Sequence, residues 1–332
     1  MANVLVTGGA GYVGSVCCAE LLRLGHSVTI VDDLSTGHRD AVPSGAAFFQ
    51  VDIGNQGAMQ SLVSHIRFDA VFHFAAKALV PESVSNPGIF FHQNVASAIV
   101  MLEVLRAADI KNFVFSSSAA VYGTPERFPI EEDDPKNPVN AYGETKLMFE
   151  RVLDWYAHAY GWSVTALRYF NAAGATRELG ERHDPETHII PLLLQVAAAG
   201  ERKVFNIYGD EYDTPDGTCL RDYVHVLDIA GAHICALQRL KEPGIRAYNI
   251  GLGQSYSVRE VCTAAAEITG QPIALRVSAR REGDPAILCA SPQRIMKELG
   301  WKPEHSSLHE IISSAWQWKR KQLGSRLAVS SR

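Results

Sequence analysis

Short unbroken apolar runs alternate with helix-period patterns through the first half of the chain. The run Asn3–Thr7 carries Val4, Leu5 and Val6 with no polar face, as does a strand covered on both sides in a parallel sheet. A glycine-rich stretch follows, then a helical pattern from Tyr12 to Leu24 that Gly25 stops. Equivalent apolar runs recur at 26–32, 47–51, 69–75 and 111–116, separated by helical patterns ending near His65 and spanning Asn86 to Ala108. This alternation predicts an α/β fold with a doubly wound parallel sheet, in which ligands gather at the carboxyl ends of the strands. Asp32, Asp52 with Ile53, Phe74-Ala75-Ala76 and Ser116-Ser117-Ser118 fall at those ends. His73, within a strand, reads as a packing histidine.

The second half is more mixed. Helices are expected at 191–199, 226–240 and 258–268, with strands at 203–207, 247–251 and 273–277, forming a smaller α/β unit. A charged, turn-rich loop occupies 177–187, helices at 292–299 and 307–319 read as packing elements, and 323–332 reads as a frayed tail. The expected division is a first domain over 1–175, a second over 176–320 partly interleaved with it, and a flexible tail over 321–332.

Composition narrows the class. With 332 residues, 47% of them hydrophobic, the chain can bury a substantial core, and a net charge of −5 leaves no basic surplus for nucleic acid. The apolar runs fall short of a membrane span and the amino terminus starts a strand, so a cytoplasmic protein with no membrane partner is expected. The six cysteines are scattered without Cys-x-x-Cys or histidine partners at ligand spacing, so buried free thiols and no metal are expected.

Three patterns carry chemistry. Gly8-Gly-Ala-Gly-Tyr-Val-Gly14 lies between strand and helix, where Gly8, Gly11 and Gly14 permit a tight turn and close approach of a pyrophosphate to a helix N-terminus. Asp32 closes the next strand; an acid there accepts ribose hydroxyls and repels a 2′-phosphate, which points to NAD, with Asp33 reinforcing the choice. Tyr142 and Lys146 stand four apart and so share a helix face, where an ammonium lowers a phenol's pKa and makes it a base. Ser118 is placed to bond the oxygen that the phenolate deprotonates, while Ser116 and Ser117 read as turn residues.

Taken together, Thr7–Gly14, Asp32-Asp33-Leu34, Phe115–Gly123, Tyr142-x-x-x-Lys146 and Tyr169-Phe170-Asn171 resemble the extended short-chain dehydrogenase/reductase family. The run Thr214-Pro-Asp-Gly-Thr-x-x-Arg-Asp-Tyr-x-His-Val226 narrows the resemblance to the branch acting at C4 of UDP-glucose and UDP-galactose. The resemblance implies a Rossmann-type domain and an NAD site lined by Tyr12, Val13, Asp32, Asp33, Leu34, Ser35, Thr36, Gly37, Asp52, Ile53, Phe74, Ala75, Ala76, Asn94, Ser116 and Tyr169. A diphosphate-binding lysine often found in the family falls at Ala78 here, with Lys77 one residue earlier. Substrate contacts implied are Asn171, Ile189, Phe205, Ile207, Tyr208, Arg221, Arg281, Asp284 and Leu288, with His188 where relatives often carry asparagine. Asp222, Tyr223 and His225 are expected to be structural, and Arg280 an exposed basic turn residue.

The implied reaction is C4 epimerisation through a 4-keto sugar, by a homodimer joined through the helices near 86–108 and 142–160. Leu288 leaves UDP-N-acetylglucosamine and UDP-pentoses open as substrates. A 4,6-dehydratase would need an acid pair after the serine, where this chain has Ala119-Ala120. A non-catalytic NAD-binding regulator would have no use for Ser118, Tyr142 and Lys146 together.

Overall fold

The computed structural model describes residues 1–200, 203–240, 242–281 and 283–330. Seven parallel strands form the main sheet. They comprise β1 (Asn3–Thr7), β2 (Ser27–Asp32), β3 (Ala47–Gln50), β4 (Ala70–His73), β5 (Asn112–Ser118), β6 (Ser163–Tyr169) and a last strand, Gly244–Ile250. The order is Gly244–Ile250, β6, β5, β4, β1, β2, β3, so the winding reverses between β1 and β4. That reversal opens a crevice at the carboxyl ends of both strands.

One core layer packs Val16, Cys17 and Leu21 of helix α1 (Tyr12–Arg23) and Ile229, Ala232 and Ala236 of helix Val226–Arg239 against one sheet face. The other packs Met59 and Leu62 of helix α2 (Gln56–His65), Met101 and Leu105, and Phe149 and Leu153 against the opposite face. His73 lies between these elements: its Nδ1 is 2.7 Å from Thr7 Oγ1, and its ring packs on Phe115 and Phe149. Burial holds it neutral, its pKa pushed down to about 3, in keeping with a packing role.

The strand expected at 247–251 belongs to the main sheet and not to the smaller unit. It pairs with β6 from Gly244↔Ser163 to Ile250↔Tyr169, because its crossover helix Val226–Arg239 packs on α1. β6 itself had no assignment from the apolar pattern, since Thr165 and Arg168 interrupt it. Arg168 is nonetheless buried, paired to Glu150 through Nε–Oε1 at 2.9 Å and Nη2–Oε2 at 2.6 Å. The carboxyl-terminal helix runs Leu308–Ser330, past the expected start of a frayed tail, over a lysine-, arginine- and leucine-rich stretch with no proline; residues 331–332 lie outside the described residues. The helical segment Pro87–Ala107 is long and apolar enough to cross a membrane by length and composition, which the unbroken apolar runs did not suggest; half of it is buried in the protein.

The smaller layer gathers around helix Ile189–Ala199, helix Val258–Thr269 and the two-stranded pair Phe205–Tyr208 with Leu275–Ser278. Asp222 ties it to the main sheet. Its carboxylate accepts from the backbone N–H of Leu252 at 2.9 Å, Gly253 at 3.0 Å and Ala290 at 3.1 Å. His225 caps helix Val226–Arg239 by accepting from Leu227 N at 3.1 Å. Tyr223 is fully buried, so all three residues are structural, as the sequence suggested.

Candidate active site

A cavity of about 990 Å³ runs from the glycine-rich turn along the carboxyl ends of the strands to the smaller layer. At its first end, Gly8, Gly11 and Gly14 form the wall. A Cβ on Gly14 would stand 2.2 Å from Gly8 O, so the helix can approach the turn this closely only without a side chain. Asp32 accepts from Ala10 N and from Leu34 N, both at 2.9 Å, which fixes its carboxylate beside the turn. Burial raises its pKa, opposed by those two hydrogen bonds. A glycine cradle for a diphosphate with a fixed acid where the adenosine ribose falls fits NAD. Asp33, Ser35, Thr36, Gly37, Asp52, Ile53, Phe74, Ala75 and Ala76 continue this wall, and Tyr12, Val13 and Tyr169 close its other side. Lys77 and Ala78 both line the cavity, so the displaced lysine stays on the wall.

Midway along, three side chains converge. Asn140 caps helix Ala141–Tyr160 by accepting from Gly143 N at 2.8 Å, and Gly143 packs so closely on the turn after β5 that a Cβ would lie 2.5 Å from Ala120 O. This contact sets Tyr142 against Ser118, whose hydroxyl hydrogen-bonds the phenol. One turn on, Lys146 Nζ donates to Ser116 O at 2.8 Å and lies 5.7 Å from the Tyr142 ring centroid. Ser117 faces away, donating to buried Glu150 Oε1 at 2.6 Å. Ser118 is thus the serine at the phenol, and all three serines line the wall.

The electrostatics among the protein's own groups depart from the expectation. Burial raises the Tyr142 pKa, opposed by the Ser118 hydrogen bond, and burial pulls Lys146 down to about 7, opposed by Glu150. A neutral or half-protonated amine does little to lower a phenol. The positive nicotinamide of NAD would supply such a charge beside the phenol.

At the far end the wall is Asn171, His188, Tyr208, Arg281, Asp284 and Leu288. The Arg281 guanidinium lies 3.9 Å from the Tyr208 ring centroid, so a cation and an aromatic ring stand together on the cavity wall. Arg280 instead lies over Tyr212 at 4.2 Å.

Several expected positions stand off the wall. Arg221 is buried behind it, paired with Asp284 and donating to Leu220 O at 2.8 Å, so it orients the aspartate. Phe205 and Ile207 point into the core of the smaller layer, and Ile189 packs against that core. Leu34 holds a left-handed turn with φ of 62°. Asn94 clamps the Lys77 backbone, accepting from its N at 2.7 Å and donating to its O at 3.0 Å. Asn140, Phe170, Glu181 and His183 line the wall without having been expected. Of these, only Asn140 carried a readable signal, a cap residue ahead of a helical pattern.

The parallel sheet, glycine cradle and Ser-Tyr-Lys wall define a nicotinamide-dependent enzyme of the Rossmann type. The sequence model of the NAD dependent epimerase/dehydratase family matches residues 4–251, and the chain belongs to that family. Its cofactor is NAD. A UDP-glucose 4-epimerase of Corynebacterium glutamicum is 48% identical over 95% of this chain and 94% of its own length. Among solved structures, UDP-glucose 4-epimerase from Brucella ovis in complex with NAD shares 44% identity at a TM-score of 0.91, over 95% of this chain and 98% of that one. The UDP-Glc/GlcNAc 4-epimerase of Campylobacter jejuni shares 36% at 0.85, over 97% and 100%.

Proposed function

We propose that the protein interconverts UDP-glucose and UDP-galactose by inverting C4. The observation that carries this reading is the continuity of one cavity from the glycine cradle, past Ser118, Tyr142 and Lys146, to the Arg281–Tyr208 pair. Bound NAD supplies a hydride acceptor and donor at C4. Tyr142, as phenolate, takes the 4-hydroxyl proton and later returns it; Ser118 bonds the same oxygen and fixes its distance from the phenol. Lys146 favours the phenolate once nearby positive charge has lowered the Tyr142 pKa. Arg281 and Tyr208 hold the nucleotide, with Asp284 on its ribose, so the 4-keto sugar can present either ring face without leaving the site. His188 faces the same space and takes the place of an amide contact.

The chain's division follows from the same reading: residues 1–175 hold cofactor and 176–320 hold substrate, with strand Gly244–Ile250 returning to the first unit. A homodimer is supported by one continuous face. Tyr156 OH donates to Glu103, and the Arg106 guanidinium lies 5.1 Å from the Tyr160 ring centroid, so helices Ala98–Ala107 and Ala141–Tyr160 present a joint surface; Trp155, on the second of them, is 75% exposed. Free cysteines throughout the described residues agree with a cytoplasmic, reducing location.

The decisive test incubates purified protein with UDP-galactose and no added NAD, following UDP-glucose by chromatography. Conversion is expected, with cofactor retained from expression. No conversion even after NAD is supplied would overturn the reading. Tyr142→Phe should keep NAD and UDP binding while kcat falls by roughly 10²–10⁴; unchanged kcat would remove Tyr142 as the base.

A further inference from the structure

The loop between β6 and helix Ile189–Ala199 carries a group of side chains of which the proposed epimerisation uses only His188, the one whose Nδ1 faces the two carboxylates of the group. Within eight residues, Glu181-x-His-x-x-Glu-x-His188 brings two imidazoles and two carboxylates together, with one possible ligand atom from each lying within 4.8 Å of all the others. His188 Nδ1 faces Glu181 Oε1 at 2.7 Å and Glu186 Oε1 at 2.9 Å, and His183 Nδ1 faces the same Glu181 oxygen at 3.0 Å. One ring nitrogen can place a single proton between two carboxylates. A dication at the centre engages both oxygens and both rings.

Charge and burial point the same way. The side chains of Glu181 and Glu186 are only 7% and 6% exposed, and their ion-pair partners among the described residues are the two histidines. Two buried carboxylates balance the charge of one divalent ion. Tetrahedral zinc with bonds of ~2.0–2.1 Å separates its ligands by about 3.3 Å. The four possible ligand atoms lie within 4.8 Å of one another, on the scale of that spacing. Two imidazoles favour zinc-like ions over magnesium or calcium, which take oxygen ligands. Glu186 Oε1 is already oriented by the N–H groups of Thr187 and His188, each at 2.8 Å, the kind of outer support that holds ligands in place.

We propose that Glu181, His183, Glu186 and His188 form a closed, structural site for one zinc-class divalent ion. The site would pin the 176–188 loop over the cavity, next to the cofactor unit. That loop already reaches the cofactor unit through Arg182, which pairs with Asp40 at 2.7 Å and whose carbonyl contacts His38 at 3.1 Å.

The test needs no turnover. Full-length protein is dialysed against Zn2+, then against metal-free buffer, and retained zinc is counted by mass spectrometry. One equivalent per chain is expected, with Zn2+ affinity at least about tenfold weaker in His183→Ala and in Glu186→Gln. Circular dichroism and retained NAD check that both variants fold. Co2+ substitution of the unaltered protein supplies a second reading: intense visible bands of a tetrahedral ion, with no near-ultraviolet thiolate band. Less than stoichiometric retention, equal affinity in both variants, weak octahedral bands or a thiolate band would each overturn the site.

Discussion

Tyr142 and Lys146 are both pushed toward their neutral forms by burial, the phenol upward and the amine to about 7. The protein's own side chains therefore disfavour a phenolate, and the positive nicotinamide of NAD would favour it. Lys146→Met removes the protonated share of an amine next to the phenol, and removing positive charge raises an acid's pKa. The rising limb of kcat/KM against pH should move to higher pH in this variant, with a lower plateau; an unmoved limb would show that the amine has no part in ionising Tyr142. Leu288 acts at the other end. Leu288→Ala should raise kcat/KM for UDP-N-acetylglucosamine relative to UDP-glucose by roughly 10-fold, the scale of a few methylenes in a pocket, and Leu288→Tyr should lower it. Equal ratios in both variants would remove Leu288 as a selector. Tyr142, Lys146 and Ser118 were readable because helix period and strand ends fix their positions. Arg221 stands behind the wall, since spacing cannot say whether a guanidinium faces the cavity or its own Asp284.

Between elements, the joints rest on a few buried polar groups. The Asp222 carboxylate satisfies backbone N–H groups from three separate residues and joins the end of strand Gly244–Ile250 to the segment bearing Leu288. Asp222→Ala leaves those donors without partners in a dry setting, at a cost of about 2–4 kcal/mol. Urea unfolding should show the midpoint falling by the corresponding amount with an unchanged m-value; an unshifted midpoint would mean water replaces the carboxylate. The same kind of interaction explains why β6 escaped the apolar pattern. Arg168 looked like a surface residue, yet Glu150, which is twelve residues before Trp162 and on another element, neutralises it in the core. Pairing between distant positions leaves no local trace in a sequence, whereas β1, β2, β4 and β5 announced themselves as continuous apolar runs.

At the scale of the whole molecule, the chain leaves the cofactor unit after β6, builds most of the smaller layer's first elements, and returns to add Gly244–Ile250 beside β6. Strand order was illegible for that reason: a short apolar run states that it is buried, not beside which neighbour. The outer surface carries a similar ambiguity. Segment Pro87–Ala107 has a mean hydropathy of 1.4 with half of it buried, and its uncovered part continues onto helix Ala141–Tyr160 through the Tyr156–Glu103 hydrogen bond. A second copy of the chain would cover this face, with Trp155 as the aromatic anchor. Trp155 is 75% exposed and lies off the cavity wall, so Trp155→Glu should fold normally, yet a carboxylate buried at an apolar interface should weaken association by about 2 kcal/mol or more, roughly 30-fold in Kd. Sedimentation velocity over a dilution series should show dimer in the parent protein and a shift to monomer in the variant. A parent that sediments as monomer, or a variant that associates as tightly, would place the subunit contact elsewhere or remove it.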